Sequence, residues 1–489
     1  MPIEVDVAIC GGGLAGLTLA RQLKLQLPQV SVAVLDKLQR PLPQAAFKVG
    51  EAVTEAAAYY LAETLQLRDY LARAHCYKLG FRFFFGDAQG PFHERPEFGL
   101  SKFPAVSSYT LDRGILENDL RQFNEEAGVV MLEGCAVEGV ELSKDGGRHQ
   151  VHYRRGKVGE DESVQARWVV DATGRRRLLQ GHLGMSRSPG KNCSAVWFRL
   201  KGRVDVCDLV PREMSRWHDR VADDNRYYSV NHLMGRGYWV WIIPLSSGHT
   251  SVGIVALEDI HPFAGFNTRQ QSMRWLERHE PALSAYIAGR EVLDFRCMRR
   301  YSRSSRKVFS ADRWACVGDA AVFADPFYAP AADLIALGNL FTAEMIRLDL
   351  DGKLTEATVR HYDQSVLSLN DMLTRNIQVA YPLMGNAVVM ASKVIWDTAA
   401  GWSLLSPQIF NSVLLDPENS KRVRRAKGSY FFLTLRMQEL FTQWGARSLG
   451  RASFEFVDFL QIPLLLDLRK RNLRGGKTVE ELVEDHRES

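Results

Sequence analysis

The fold is decided by the stretch Val5-Asp6-Val7-Ala8-Ile9-Cys10-Gly11-Gly12-Gly13-Leu14-Ala15-Gly16, in which a glycine loop joins a short apolar run to a helical pattern. In such a loop the first glycine permits a tight turn, the second lets a pyrophosphate approach the backbone, and the third lets helix and strand pack closely. The start of the helix offers free N–H groups to an anion. We therefore expect a dinucleotide to contact Gly11, Gly13, Ala15 and Gly16.

The next strand supports this interpretation. Ser31 to Leu35 form an apolar run that ends at Asp36, twenty residues beyond Gly16. A carboxylate at this position can accept hydrogen bonds from an adenosine ribose. The alternative is a glycine-rich turn followed by a solvated aspartate. Together the two segments predict a doubly wound α/β sheet of the Rossmann type.

Length and composition limit the other possibilities. A chain of 489 residues is too long for one compact core, so we expect two or three packed units. Its 62 basic and 57 acidic residues leave a net charge of only +5, which argues against a nucleic-acid partner. The seven cysteines are scattered without a metal-binding spacing, and we interpret them as reduced thiols with no metal site.

Two features concern location. The N-terminus has no basic and apolar signal pattern, and the apolar stretch Ala387 to Leu405 is interrupted by Lys393 and Asp397. We therefore expect no membrane span and a cytoplasmic protein.

Aromatic and alternating runs predict an antiparallel sheet in the middle of the chain, with a hairpin turn at Met234-Gly235-Arg236-Gly237. The runs are Tyr77 to Phe85, Ala195 to Leu200, Arg226 to His232, Tyr238 to Pro244 and Thr250 to Ala256. Long helical patterns follow from about residue 343. We predict a discontinuous cofactor domain (1–75, 105–185 and 290–345), a sheet domain for substrate (76–104 and 186–289) and a helical C-terminal region (346–489).

Two further segments select the cofactor by resemblance. Val170-Asp171-Ala172-Thr173-Gly174-Arg175 and Cys316-Val317-Gly318-Asp319-Ala320-Ala321 each end an apolar strand, as in flavoproteins of the aromatic hydroxylase and halogenase superfamily. The resemblance implies FAD, with Asp319 near its ribityl-pyrophosphate region.

The same resemblance implies further cofactor contacts. Arg113 precedes a helical pattern and could pair bidentately with phosphate, or it forms a surface ion pair. The segment Lys48-Val49-Gly50-Glu51-Ala52 resembles a flavin-contacting segment of halogenases; for Glu51 the alternative is a charge at a helix N-terminus. The contacts that we expect here are Lys48, Gly50, Glu51, Arg113, Asp319 and Pro326.

The run Trp239-Val240-Trp241-Ile242-Ile243-Pro244 resembles the W-x-W-x-I-P signature of the flavin-dependent halogenases. In a strand Trp239 and Trp241 share one face. The resemblance implies that the two indoles, with Tyr328, form a wall that keeps substrate away from flavin. A tryptophan pair at this spacing is otherwise explained by core packing.

Lys78 occupies a strand that resembles the one carrying the catalytic lysine of this family. Alternation places Tyr77, Leu79, Phe81, Phe83 and Phe85 on one face, and Lys78 with Gly80 and Arg82 on the other. If that face borders the substrate cavity, Lys78 is catalytic. If it borders water, Lys78 is an ordinary solvated lysine.

The chemistry implied by the resemblance starts from reduced FAD, supplied by a separate flavin reductase, and dioxygen. These form a C4a-hydroperoxide that oxidises chloride or bromide to hypohalous acid, which Lys78 then holds beside an aromatic ring. The expected substrate is an electron-rich phenol or pyrrole, free or tethered to a carrier protein. Basic clusters at Lys421 to Arg425 and Arg469 to Arg471 could receive an acidic carrier, or they are solvated helix faces.

The sequence departs from the family pattern at Pro330 and Ala331, which together with Ala332 form the expected halide site. Proline has no N–H to donate, and alanine adopts positive φ less cheaply than glycine. Tyr328 stands where tryptophan halogenases carry a glutamate. Two alternatives therefore stay open beside a halogenase: an FAD monooxygenase that hydroxylates its aromatic substrate, and a flavin-binding protein without oxygen chemistry.

Overall fold

The computed structural model describes residues 3–43, 49–86, 88–143, 145–156, 161–188, 190, 192–426, 428, 430–448 and 454–487. The strands are β1 (Ile3–Cys10), β2 (Val32–Asp36), β3 (Cys76–Tyr77), β4 (Phe81–Phe85), β5 (Glu97–Gly99), β6 (Tyr109–Thr110), β7 (Val130–Glu133), β8 (Cys135–Glu141), β9 (His149–Arg155), β10 (Asp161–Asp171), β11 (Ser186–Arg187), β12 (Cys193–Leu200), β13 (Val230–Gly235), β14 (Tyr238–Pro244), β15 (Thr250–Leu257), β16 (Val292–Met298), β17 (Ser304–Ser305), β18 (Phe309–Ser310), β19 (Trp314–Cys316) and β20 (Phe456–Asp458).

The α-helices are α1 (Leu14–Gln26), α2 (Glu55–Tyr59), α3 (Arg68–Ala74), α4 (Arg113–Glu126), α5 (Leu178–His182), α6 (Ser215–His218), α7 (Arg269–His279), α8 (Pro281–Ile287), α9 (Pro330–Leu350), α10 (Glu356–Ala380), α11 (Ala387–Leu404), α12 (Ser406–Phe410), α13 (Pro417–Ala426), α14 (Tyr430–Arg447), α15 (Pro463–Asn472) and α16 (Val479–Arg487). Within the described ranges, no helix combines the length and apolar character needed to cross a bilayer.

The first sheet confirms the predicted α/β fold. Its order is β18-β19-β10-β1-β2-β7, with β9 beside β10 and β8 beside β9. Strands β19, β10, β1, β2 and β7 run parallel, and their apolar side chains are buried against helices that include α1 and α9. The parallel strands end at one edge, and the glycine loop after β1 lies there. In open α/β sheets this edge is where ligands bind.

The second sheet has the order β16-β12-β15-β14-β13-β4-β5-β20. Most of its pairings are antiparallel, as expected, but β13 with β4 and β5 with β20 are parallel. The predicted hairpin connects β13 to β14, and Gly237 supplies the positive φ of +82°. Strand β20 lies in the C-terminal region and completes the edge of this sheet, so the region contributes more than helices.

The predicted strand Tyr77 to Phe85 is interrupted. Its two parts are β3 and β4, and Gly80 between them has a φ of +101°, which ends the pleat. Alternation therefore fails across the break: Tyr77 is 44% exposed, whereas Phe83 and Phe85 are buried in the sheet's core. The predicted strand Arg226 to His232 is shifted to Val230–Gly235, because residues 222–228 form short turns of 3₁₀ helix.

Candidate active site

A cavity of about 580 Å³ lies between the two sheets. The glycine loop and the ends of the parallel strands form one side, and the aromatic face of the second sheet forms the other. The lining residues named in the sequence analysis are Gly11, Gly13, Ala15, Asp36, Gly50, Glu51, Arg113, Asp319, Pro326, Trp239, Trp241, Ala331 and Ala332. The cofactor segments and the tryptophan pair thus face one common space.

The three glycines of the loop differ in the space around them. Gly11 has a φ of +120°, and a Cβ there would lie 2.3 Å from the carbonyl oxygen of Ala172. A Cβ on Gly16 would lie 2.0 Å from the carbonyl oxygen of Gly11. Gly13 is different, because its backbone is extended and a Cβ would meet nothing within 4 Å. Gly11 and Gly16 are required by the fold, whereas the space at Gly13 is open to a ligand.

Asp36 lies at the cavity edge at the end of β2, and it carries an ion pair that the sequence analysis missed. Arg121 on α4 is fully buried and bonds to the Asp36 carboxylate. Its guanidinium donates a hydrogen bond of 2.8 Å to the carbonyl oxygen of Gly12. It also pairs with Glu133 at 3.1 Å. The sequence carries one sign of this contact. Arg113, Glu117 and Arg121 are spaced four residues apart, which places them on one face of a helix.

Arg113 also lines the cavity, but protein groups already engage its guanidinium. Nη2 lies 2.6 Å from the Glu117 carboxylate, and Nη1 donates a hydrogen bond of 2.9 Å to the carbonyl oxygen of Val49. It therefore fixes the segment that contains Gly50. Lys48, expected in the same segment, lies outside the described residues.

Glu51 lines the cavity from a buried ion-pair network rather than from a helix N-terminus. Its carboxylate lies 2.5 Å from Nη2 of Arg199 on β12, whose Nη1 pairs with Asp294 at 2.7 Å. Burial raises the pKa of Glu51, and the positive charge of Arg199 opposes this shift. The network joins the cofactor segment to the second sheet.

Asp319 lies at the carboxyl end of β19 and lines the cavity, as does Pro326. Burial raises the pKa of Asp319, and the charges of Arg175, Arg113 and Arg177 act in the opposite direction. The other cofactor motif is held by Asp171, which accepts hydrogen bonds from the backbone N–H groups of Thr173 and Leu179.

The tryptophan pair faces the cavity, as alternation predicted. The ring centroids of Trp239 and Trp241 are 5.6 Å apart at an angle of 44°. Trp241 donates to Ser251 Oγ at 3.1 Å, and Trp239 donates to Tyr381 Oη at 3.3 Å.

Behind Trp239, a buried carboxylate joins two tyrosines. Asp325 accepts hydrogen bonds from Tyr301 at 2.6 Å and Tyr381 at 2.8 Å, and the backbone N–H of Phe327 donates to it at 2.9 Å. Burial raises the pKa of Asp325 to about 6. This cluster ties the tryptophan wall to the loop that precedes α9 and to the C-terminal region. No sequence pattern indicates this cluster, because its members are far apart in the chain.

The prediction for Lys78 was wrong in its geometry. Lys78 follows the end of β3 and is only 1% exposed, so it neither projects into solvent nor lines the cavity. Its ammonium donates to the carbonyl oxygen of Val53 and lies 4.1 Å from the centroid of the Phe81 ring, which does line the cavity. Burial lowers the pKa of Lys78 to about 8, although the negative charges of Glu55 and Asp333 act to raise this pKa.

The prediction for the halide loop needs a similar correction. The positive φ angles fall on Tyr328 (+66°) and Ala329 (+55°), and helix α9 begins at Pro330. Ala331 is helical and does not need the conformational freedom of glycine. Proline is suited to this first helical position, where the N–H has no intrahelical partner.

The side chains of this loop point to different places. Ala331 and Ala332 line the cavity, whereas Pro330 and Tyr328 are not among its lining residues. The Tyr328 hydroxyl lies 3.3 Å from Asp397 Oδ2. Of the expected wall, the two tryptophans line the cavity and Tyr328 does not.

The comparisons with known proteins agree with this geometry. The family model of the FAD binding domain matches residues 4–329, so the chain belongs to that family. A flavin-dependent halogenase of Dictyostelium discoideum, chlA, is 25% identical over 84% of this chain and 72% of its own length. The 1H-pyrrole-2-carbonyl-[peptidyl-carrier protein] chlorinase of Pseudomonas fluorescens Pf-5 is 24% identical over 74% of this chain and 80% of its own.

Among solved structures, halogenase PltM superposes with a TM-score of 0.72 at 16% identity and covers 99% of this chain and 96% of its own. This likeness shows the fold. Both curated relatives are halogenating enzymes, and the family model shows that this chain carries an FAD binding domain.

Proposed function

We propose that this chain is a flavin-dependent halogenase that acts on an electron-rich aromatic substrate of the phenol or pyrrole type and that Lys78 holds the electrophilic halogen. The observation that carries the proposal is the common cavity, whose lining includes the glycine loop, both tryptophans and Phe81, the ring that the Lys78 ammonium contacts.

The residues of the cavity fit FAD. The open space at Gly13 accepts the pyrophosphate, the first turn of α1 offers backbone N–H groups, and Asp36 stands where a ribose would lie. The cationic side chains that line the cavity are Lys37, Arg113, Arg175, Arg176 and Arg296. Bound in its reduced form, FAD would supply the electrons that turn dioxygen into the two-electron oxidant needed to convert halide into hypohalous acid.

The first turn of α9 is the candidate halide site. Ala331 and Ala332 line the cavity at the positive end of a 21-residue helix. Pro330 contributes no N–H, and Asp333 in the same turn adds negative charge when ionised. Both features predict weak halide affinity.

Lys78 is suited to hold hypohalous acid by hydrogen bonding or as a haloamine. With a pKa of about 8, about a tenth of the amine is neutral at pH 7, a larger fraction than in an exposed lysine. For this role hypohalous acid must pass the ring of Phe81, because Lys78 does not itself line the cavity. The electrophilic halogen then replaces a ring hydrogen, and water is the second product.

Partners are a further part of the proposal. The pyrrole relative acts on a carrier-tethered substrate. In this chain Arg422 pairs with Glu480 at 2.8 Å, and Arg471 bonds to Asp467, so part of each basic cluster is already neutralised. A small free aromatic is therefore the first substrate to test. Reduced FAD would come from a separate reductase, since the sequence contains no second glycine loop for a nicotinamide cofactor.

The test is a product assay. Purified protein receives photoreduced FAD, bromide and a panel of phenols and pyrroles, free and carrier-tethered, and products are identified by mass spectrometry. Brominated product that requires bromide supports the proposal. Hydroxylated product formed with NADPH alone would instead identify a monooxygenase, and bound FAD with neither product would identify a flavin-binding protein without oxygen chemistry.

A further inference from the structure

His232 is a buried imidazole in the aromatic wall of the cavity. It lies on β13, is 2% exposed and is one of the cavity-lining residues. Its ring stacks on Phe83, with centroids 4.7 Å apart at 29°, and lies 5.1 Å from the ring of Trp239. Phe81 meets it edge-on at 5.6 Å. A polar ring thus stands inside an otherwise aromatic part of the wall.

The hydrogen bonds of His232 fix its tautomer. Nδ1 lies 2.9 Å from the carbonyl oxygen of Val230 and 3.2 Å from that of Arg82. Carbonyl oxygens only accept, so Nδ1 carries the proton and Nε2 keeps its lone pair. Nε2 has no hydrogen-bond partner among the described residues. It is also not fully buried, because it is absent from the set of their fully buried polar atoms that lack a partner.

The ring is neutral under ordinary conditions. Burial lowers the pKa of His232 to about 3, the two carbonyl bonds oppose this shift, and the charge of Lys78 adds to it. Nε2 is therefore a neutral acceptor across the physiological range and not an imidazolium donor. The effect of Lys78 on this pKa also places the two side chains in the same electrostatic neighbourhood.

The neighbouring indoles offer no equivalent acceptor. An indole Nε1 only donates, and those of Trp239 and Trp241 are bonded to Tyr381 and Ser251. A ligand that carries an O–H or N–H donor and packs against this aromatic wall therefore finds its acceptor at His232.

We propose that Nε2 of His232 recognises the aromatic substrate by accepting a hydrogen bond from its ring O–H or N–H group, an inference that rests on the proposed function. The bond orients the ring against Trp239 and Phe81, on the side of Lys78. It also increases electron density on the donor atom, and through it on the ring carbons that an electrophile attacks. A methyl ether or an N-methyl ring cannot form this bond.

The inference is tested by binding to the protein loaded with oxidised FAD. Resorcinol and pyrrole are the donor-bearing probes, and 1,3-dimethoxybenzene and N-methylpyrrole are their matched controls, each titrated by ligand-observed NMR. Wild type should bind each donor roughly three- to tenfold more tightly than its methylated partner, the effect of one neutral hydrogen bond. Comparing the two pairs shows whether the site prefers a phenolic O–H or a pyrrolic N–H donor.

Two variants connect the preference to His232. His232→Phe keeps an aromatic ring in the wall but removes the acceptor, so the preference should disappear. His232→Gln supplies a side-chain carbonyl and should keep part of it. Thermal unfolding and FAD content show whether each variant is folded.

The inference would be overturned by equal wild-type affinity within both pairs, by absence of binding of all four probes, or by an undiminished preference in folded His232→Phe. The readout is equilibrium binding, so these results are distinct from failure to find a halogenated product.

Discussion

The Nζ atom of Lys78 lies 4.1 Å from the centroid of the Phe81 ring, so the ammonium packs against a residue that lines the cavity without lining the cavity itself. The arrangement shields the lysine from water and lowers its pKa to about 8, and burial is the main cause. It also means that the lysine is part of the packed interior. Substitutions at Lys78 must therefore preserve volume if they are to report on chemistry.

The first prediction concerns FAD. Gly13→Val should leave the fold intact, because the backbone is extended there and a Cβ meets nothing within 4 Å. The added side chain would occupy the space where the pyrophosphate approaches, so FAD retention should fall at least about 100-fold, or roughly 3 kcal/mol. FAD content and circular dichroism measure the two effects.

The control for this prediction is Gly139→Val on β8, where the added side chain also has open space but lies outside the cavity lining. It should retain FAD like the wild type. Normal FAD affinity in folded Gly13→Val would show that the pyrophosphate binds elsewhere.

The second prediction concerns the hydrogen bond behind the tryptophan wall. Tyr381→Phe removes the acceptor of the Trp239 indole N–H and one donor to Asp325. A buried N–H left unpaired costs about 1–3 kcal/mol, so urea unfolding should show a loss of that size. A double-mutant cycle with Trp239→Phe isolates the interaction. Additive effects of the two substitutions would mean that Tyr381 does not hold Trp239.

The third prediction concerns pH. Burial raises the pKa of Asp333 from 3.8 to about 7, while the nearby charge of Glu55 adds to the shift and Lys78 opposes it. The folded state therefore binds this proton more tightly than the unfolded state. Its contribution to stability is complete below about pH 4, is lost as the pH rises to 7, and is on the order of 4 kcal/mol at most.

Asp333→Asn should consequently reduce the fall in free energy of unfolding between pH 5 and pH 8. Asparagine keeps a carbonyl oxygen for the bonds that Thr54 and Ala57 donate. Chemical denaturation at several pH values measures the effect, with the exposed Asp351→Asn as control. An unchanged pH profile in Asp333→Asn would show that Asp333 is already ionised at low pH.

Local sequence patterns predicted much of the cofactor side. The glycine loop and the strand alternation placed Gly13, Trp239 and Trp241 on the cavity, because each depends on near neighbours in the chain. The pattern failed at Lys78, where the positive φ of Gly80 breaks the strand. The expectation that Ala331 needs the positive φ of a glycine was wrong. Tyr328 and Ala329 take the left-handed conformation, and Ala331 is helical.

Other parts of the site depend on contacts that no local pattern reveals. Arg121 reaches Asp36 and Gly12 from a helix that lies far along the chain. Tyr381 meets Trp239 across 142 residues. The tautomer of His232 is set by the carbonyl oxygens of two neighbouring strands, so its free acceptor could be found only from the folded structure.

The most direct test of the account is the bromination yield of Lys78→Met with photoreduced FAD, bromide and the best substrate of the wild type. Methionine fills much of the buried volume of the lysine but has no ammonium. Lys102→Met on the exposed surface is the control. We expect Lys78→Met to fold and bind FAD while its brominated product falls at least about 100-fold. Wild-type yield from Lys78→Met would contradict the assignment of Lys78 as the residue that holds the halogen.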